Sequence, residues 1–215
     1  MKDIRQQVTV GIVCLVWLVL ALLTDDTLSP TPLRLFSAAG TTVTILALAY
    51  ERYLWRWKLV RRFTGSPLLQ GTWRGEVTTS VIREDGTPVP SIPAALHVVQ
   101  SASRVSVSLF TEDSVSTSTH ASLLRGDDGR WCLRWQFTNQ PRPVARQRSQ
   151  RHRGVAEVWI GAVPGEGLCG EYFTDRRTYG EVSFVEWSPQ RYGSASSALA
   201  ASDFAPARPY AGAAG

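Results

Sequence analysis

The chain has 215 residues, of which 44% are hydrophobic, and a formal net charge of +5, which leaves room for one compact domain and a smaller appended segment. Residues 1–64 carry eight Lys/Arg against four Asp/Glu, residues 65–187 thirteen of each, and residues 188–215 two against one. The excess positive charge therefore sits beside the hydrophobic N-terminus, which argues for a membrane surface ahead of a DNA or RNA polymer as its partner. Cys14, Cys132 and Cys169 are odd in number and lack zinc-ligand spacing, so neither a disulfide framework nor a zinc site is indicated, which fits a reducing cytosol.

In chain order, the first predicted element is a transmembrane helix over about 6–24, where nineteen residues from Gln6 to Thr24 carry no charge. A cleaved signal peptide is the competing reading, but no small-residue cleavage site follows Leu23. The acids and prolines of Asp25, Asp26, Pro30 and Pro32 form a turn. A second span follows over about 35–55, with the small residues Ala39, Gly40, Ala47 and Ala49 on a face suited to close helix packing. Lys2 and Arg5 precede the pair, and Arg52, Arg56, Lys58, Arg61 and Arg62 follow it, with only Arg34 between the spans. The positive-inside rule then places both termini in the cytoplasm. Residues 1–64 thus read as a two-helix hairpin with a basic juxtamembrane linker.

From Gly71 the hydrophobic period changes to two. Eight strands are expected, over about 71–83, 92–100, 103–111, 113–125, 130–138, 153–162, 167–175 and 179–187, joined by short turns rich in Gly, Asp and Pro. Short links make neighbours antiparallel, and eight such strands close most economically into an up-and-down β-barrel over 65–187. A β-sandwich is the alternative. The connection 139–153 holds five arginines and no acid, read as a mobile solvated loop, as a lid that brings positive charge over the barrel mouth, or as a contact with anionic lipid. Residues 188–215, rich in Ser, Ala, Pro and Gly, read as a disordered tail.

No catalytic constellation emerges. His97, His120 and His152 lie on separate elements, no nucleophile elbow or phosphate-binding glycine loop occurs, and no carboxylate pair stands out, so binding is favoured over catalysis, with no metal and no cofactor. The alternation does gather polar and aromatic side chains. Ser114, Ser116 and Ser118 share a face; Trp135, Phe137 and Asn139 share another; and Tyr172 and Thr174 share a third, with Arg176 on their side if the alternation persists into the turn. Arg176 and Arg177 at the hairpin suit a phosphate. The competing reading makes the aromatics core and the hydroxyls solvated.

The order of these features resembles one family. Two N-terminal spans, Leu69-Gln70-Gly71-Thr72-Trp73-Arg74-Gly75, the serine ladder at 114–118, the aromatic alternation ending in Asn139-Gln140-Pro141, and Gly170-Glu171-Tyr172-Phe173-Thr174-Asp175-Arg176-Arg177 are similar to the two-transmembrane, β-strand-rich effectors of bacterial cyclic-oligonucleotide anti-phage signalling (CBASS), the S-2TMβ class, over roughly residues 5–187. Trp135 and Phe137 stand where tyrosines are expected, which keeps stacking and loses a phenol hydrogen bond. The resemblance implies a protein of the bacterial inner membrane that is activated by a cyclic dinucleotide made by a partner synthase. It implies self-association on binding, and disruption of the lipid bilayer that kills the cell. In those roles Arg176 and Arg177 would neutralise phosphodiesters, Tyr172, Trp135 and Phe137 would enclose bases, and Ser114, Ser116, Ser118 and Thr174 would bond base edges or ribose. An inward asparagine at Asn139 belongs to the same polar lining. The runner-up is a membrane-tethered, lipocalin-like barrel for an apolar ligand such as a fatty acid, and a third reading is a filled, noncatalytic barrel. Polarity of the inner face discriminates between the first two, and the third predicts no cavity.

Overall fold

A computed structural model describes residues 15, 16, 19, 31–83, 85–147, 149–161 and 167–207, the backbone alone for 31–37. The chain divides into two units, 1–61 and 62–215.

In the first unit Leu15, Val16 and Val19 are helical, and the rest of the expected span at 6–24 lies outside the described residues. The second expected span corresponds to helix α1 (Thr31–Arg52), 22 residues long, which starts four residues earlier than expected because Pro32 suits the first turn of a helix. Thr42 and Thr44 return their hydroxyls to the carbonyls of Ala38 and Gly40, at 2.9 and 2.8 Å, satisfying polar groups within the helix itself. A 3-10 turn (Leu54–Arg56) ends the element and α2 (Lys58–Thr64) follows. Among the described residues no helix is long and apolar enough to cross a membrane.

The second unit is the barrel. Strands β1 (Gly71–Val77), β2 (Ile92–Gln100), β3 (Val105–Thr111), β4 (Ser114–Arg125), β5 (Trp131–Pro141), β6 (His152–Ile160), β7 (Leu168–Thr174) and β8 (Tyr179–Ser188) pair in sequence order, all antiparallel. β8 then pairs with β1, from Thr72 opposite Ser188 to Val77 opposite Val182, and closes the sheet. Closure leaves no unpaired edge. Alternate residues turn inward and build one core that includes Trp73, Leu96, Val98, Leu133, Val158 and Phe184.

Three expectations are corrected. β1 stops at Val77, because the proline-rich segment 78–91 leaves β2, although Thr78 and Ser80 still donate to the carbonyls of Glu181 and Tyr179 on β8. β5 runs on to Pro141 and β6 begins at His152, which carries Asn139 and His152 out of the expected loop and into the barrel wall. Residues 188–207, expected to be disordered, form α3 (Ala195–Ala200) and β9 (Ala205–Pro206). Ser194 and Ser197 cap each other's backbone at the start of α3. β9 pairs with Glu186 and Trp187, at the end of β8 that extends past its pairing with β7. The Arg74 guanidinium holds this strap from the barrel side: it bonds Glu186 at 2.6 Å and donates to the carbonyls of Leu199 and Ala201, with its carbon 4.4 Å from the centre of the Phe204 ring. Composition pointed to disorder there because small residues bury little area, but here they allow close apposition.

Candidate functional site

Up-and-down order puts the connections β1–β2, β3–β4, β5–β6 and β7–β8 at one end of the barrel. Register then fixes what lies beneath them, because residues directly opposite one another on adjacent strands share a face. The row nearest this mouth is Ser116, Asn139 and His152. Below it lie Ser118, Phe137, Gly154 and Thr174, and then Trp135, Ala156, Tyr172 and Gly180. Trp135, Phe137 and Ala156 belong to the core, so all these rows face inward. The next row, Leu133, Val158, Gly170 and Val182, is apolar. The interior is thus graded from hydrocarbon to polar along the barrel axis.

Seven of the sequence-selected residues, Ser116, Ser118, Trp135, Phe137, Asn139, Tyr172 and Thr174, stand on this inner face, with Ser114 at its rim opposite Pro141. Several of their hydroxyls already have partners. Ser114 and Thr111 bond each other across the β3–β4 turn, at 3.1 Å. Ser118 Oγ accepts from the Val107 amide at 2.9 Å beside the bulge in β4, and Thr174 shares a 2.6 Å bond with Thr178 across the β7–β8 turn. Trp135 and Phe137 are buried in the core, while Tyr172 packs against its edge, half-buried.

The arginines sit elsewhere than alternation suggests. β7 ends at Thr174, and the turn that follows places Arg177 at φ 60°, so the period of two is lost and Arg176 does not continue the face of Tyr172 and Thr174. Both arginines are exposed on the rim. Arg176 Nη1 reaches the Ser149 hydroxyl at 3.3 Å, and the Arg153 amide donates to Asp175 Oδ2, tying the hairpin to the start of β6. The β5–β6 connection is pinned as well. Its 3-10 turn (Pro143–Ala145) buries Ala145, and the Arg142 amide donates to the Asp113 carbonyl at 2.8 Å. Arg142, Arg146, Arg151, Arg176 and Arg177 outnumber Asp175 within these two turns, while Glu112 and Asp113 lie on the β3–β4 turn of the same mouth, so the excess of positive charge is on the side of the rim formed by the β5–β6 and β7–β8 turns.

His152 was the residue missed by sequence reading, which left it on a loop. The available signal was its phase with Gly154, Ala156 and Val158. Its ring is 8% exposed; Nδ1 donates to the Gln150 carbonyl at 3.0 Å, and Nε2 lies 3.3 Å from Asn139 Nδ2. Burial holds its pKa below the usual histidine value; the Gln150 carbonyl and Asp175 oppose that shift, and Arg176 adds to it. Asn139, also 8% exposed, keeps a buried side-chain oxygen with no hydrogen-bond partner among the described residues. An unsatisfied buried acceptor costs about 1–3 kcal/mol, and a ligand donor would relieve it. Among the described residues no group of His, Cys, Asp and Glu is placed to hold a metal ion. The Cys132 thiol is pushed up to about 12 by burial and the Glu157 carboxylate, which leaves it inert as a nucleophile at neutral pH.

A closed barrel with a packed apolar floor, a polar inner row and an arginine-bearing rim has the architecture of barrels that can receive a small ligand at one mouth. The family described as "Cap15, cyclic dinucleotide receptor domain" matches residues 64–186, more than half of the chain, and the chain belongs to that family. It is also similar to the CD-NTase-associated protein 15 of Staphylococcus schleiferi, with 23% identity over 148 residues that cover 69% of this chain and 76% of that protein.

Proposed function

We propose that the chain is a membrane-anchored CBASS effector whose barrel mouth binds a cyclic dinucleotide supplied by a partner cyclic-nucleotide synthase. Binding drives self-association, and the assembled N-terminal segments disrupt the bacterial inner membrane. The carrying observation is the buried Ser116–Asn139–His152 row beneath an arginine-bearing rim, in a chain of a cyclic dinucleotide receptor family. A cyclic dinucleotide has two phosphodiesters for Arg176 and Arg177 and two bases whose edges need buried polar partners. The graded interior suits it better than a fatty acid, which would leave the polar row unpaired. Membrane anchorage with both termini cytoplasmic is supported by the uncharged run at 6–24, by the basic residues around both helices and by exposed apolar residues on α1, Ile45 at 59% and Leu48 at 65%. In this reading the ligand is bound and released unchanged.

The test uses the full chain in detergent micelles and a panel of cyclic dinucleotides, read by thermal unfolding. At a hundredfold excess over Kd a bound ligand adds about 2.7 kcal/mol, a rise of several degrees. The double variant Arg176→Ala, Arg177→Ala should lose the shift while unfolding at the ligand-free temperature of the parent. A flat response to every cyclic dinucleotide would sink the receptor reading. Dye-loaded vesicles containing the full chain should leak only when the binding dinucleotide is added, and leakage that ignores it would remove the effector step.

A further inference from the structure

The hydrogen bonds of His152 determine which end of the Asn139 amide is left over. A carbonyl can only accept, so the Gln150 carbonyl, 3.0 Å from Nδ1, places the ring proton on Nδ1. Nε2 is then a bare acceptor, and the Asn139 group that meets it at 3.3 Å must be the amide NH2. The amide oxygen is what remains, buried and without a partner among the described residues, in the inner row at the mouth. We propose that Asn139 is a ligand-reading residue that presents a fixed acceptor to a base N–H or amino group, and that His152 is the positioning residue that holds the amide in that orientation. The assignment rests on the cyclic dinucleotide reading above.

The lock depends on protonation state. A proton added to His152 Nε2 would set a donor against the Asn139 NH2. The amide then turns to offer its oxygen to the imidazolium and its NH2 to the ligand, so an acceptor becomes a donor at the same point. Ligand affinity therefore requires neutral His152 and falls as pH drops through the histidine range. The groups that bear on the ring are Asn139 from β5, the Gln150 carbonyl and the flanking Arg151 and Arg153 on its own segment, and Asp175 and Arg176 from the β7–β8 turn. Asp175 favours the proton and Arg176 opposes it, so the hairpin at the rim tunes the lock.

The experiment measures dissociation constants of the same panel of cyclic dinucleotides, cyclic di-AMP and cyclic di-GMP among them, for the full chain in micelles between about pH 5 and pH 8, the range that brackets an ordinary histidine. With whichever dinucleotide binds, wild type should hold constant affinity at the alkaline end and weaken progressively on acidification. The variant His152→Gln, which meets Asn139 with either a donor or an acceptor and does not titrate, should show a flat profile. Asn139→Leu, of similar shape without the acceptor, should bind at least tenfold more weakly at pH 8. Equal affinity of Asn139→Leu and wild type, or parallel pH profiles for wild type and His152→Gln, overturns the assignment. Where Asn139→Leu does not fold, the pH comparison decides alone, since it leaves position 139 intact. Binding of no member of the panel fells the receptor reading and this assignment with it, whereas binding that ignores both substitutions fells only the assignment.

Discussion

Gly154 shows how tightly single residues define the mouth. A Cβ placed there would lie 2.4 Å from Phe137 Cζ and 2.6 Å from the Phe173 carbonyl oxygen, so the Phe137 ring rests directly over the glycine and the opposite wall is rigid backbone. The inner row of Ser118, Phe137, Gly154 and Thr174 therefore admits one large side chain. Gly154→Ala must displace either the ring or a strand, at about 1–3 kcal/mol for overpacking. A denaturant midpoint below that of wild type, with an unchanged slope, is the expected result; an unchanged midpoint would show that the row has slack. Side-chain direction on this row was readable from the sequence, because Phe137 and Thr174 follow the period of two. The close approach over Gly154 was not, since it depends on which residue two strands of different origin place opposite each other, and register is settled by long-range pairing. Arg176 shows the same limit in reverse, as a period holds only while the strand does.

At the scale of elements, the strap from Ser188 to Ala207 depends on contacts that no local pattern announces. Ser188 and Tyr192 both donate to the Asp203 carboxylate, Tyr192 stacks on Phe204 with centroids 5.7 Å apart, and Thr72 of β1 donates to the Gln190 carbonyl at 2.7 Å. Arg74 joins β1, β8, α3 and the Phe204 ring with one planar fork, which a lysine's point charge does not reproduce. Arg74→Ala should lower stability by about 1.5–3 kcal/mol, the range for hydrogen bonds to a charged group. Limited proteolysis should then cut within 189–207 far faster than in wild type, and equal cutting rates would show that Arg74 is not the anchor. The eight main strands, by contrast, were legible to within a few residues from alternation and turn residues. The exceptions, β1 ending early and β5 running long, arise where a partner strand begins or stops.

At the scale of the whole molecule, the barrel segment 65–187 is neutral and the excess positive charge lies in residues 1–64, a separation that the proposed function reads as recognition apart from attachment. Barrel closure was legible from strand count and short links. The axial grading of its interior was legible only in part, through the serines and Asn139, because His152 needed the true start of β6. A chain ending at Thr178 lacks β8, so β1 and β7 are left as open edges and the row beside Tyr172 loses Gly180. Equilibrium dialysis should detect no cyclic dinucleotide binding by that truncated chain, while the full chain binds. Retention of affinity by the truncated form would mean that closure is not required for recognition.

The seam between the first strand and the last has a further consequence during biosynthesis. Thr72 and Gln190 lie 118 residues apart, so β1 leaves the ribosome long before its partner exists. At typical elongation rates of about 5–20 residues per second the interval is roughly 6–24 s. The apolar N-terminal run emerges earlier still, so the chain passes through a period in which that run is complete and the mouth is not. Under the proposed function, a messenger molecule present at that moment would find nothing to bind, and a product of interrupted translation would stay silent. The order of strands in the barrel makes the finished mouth the last feature the chain acquires.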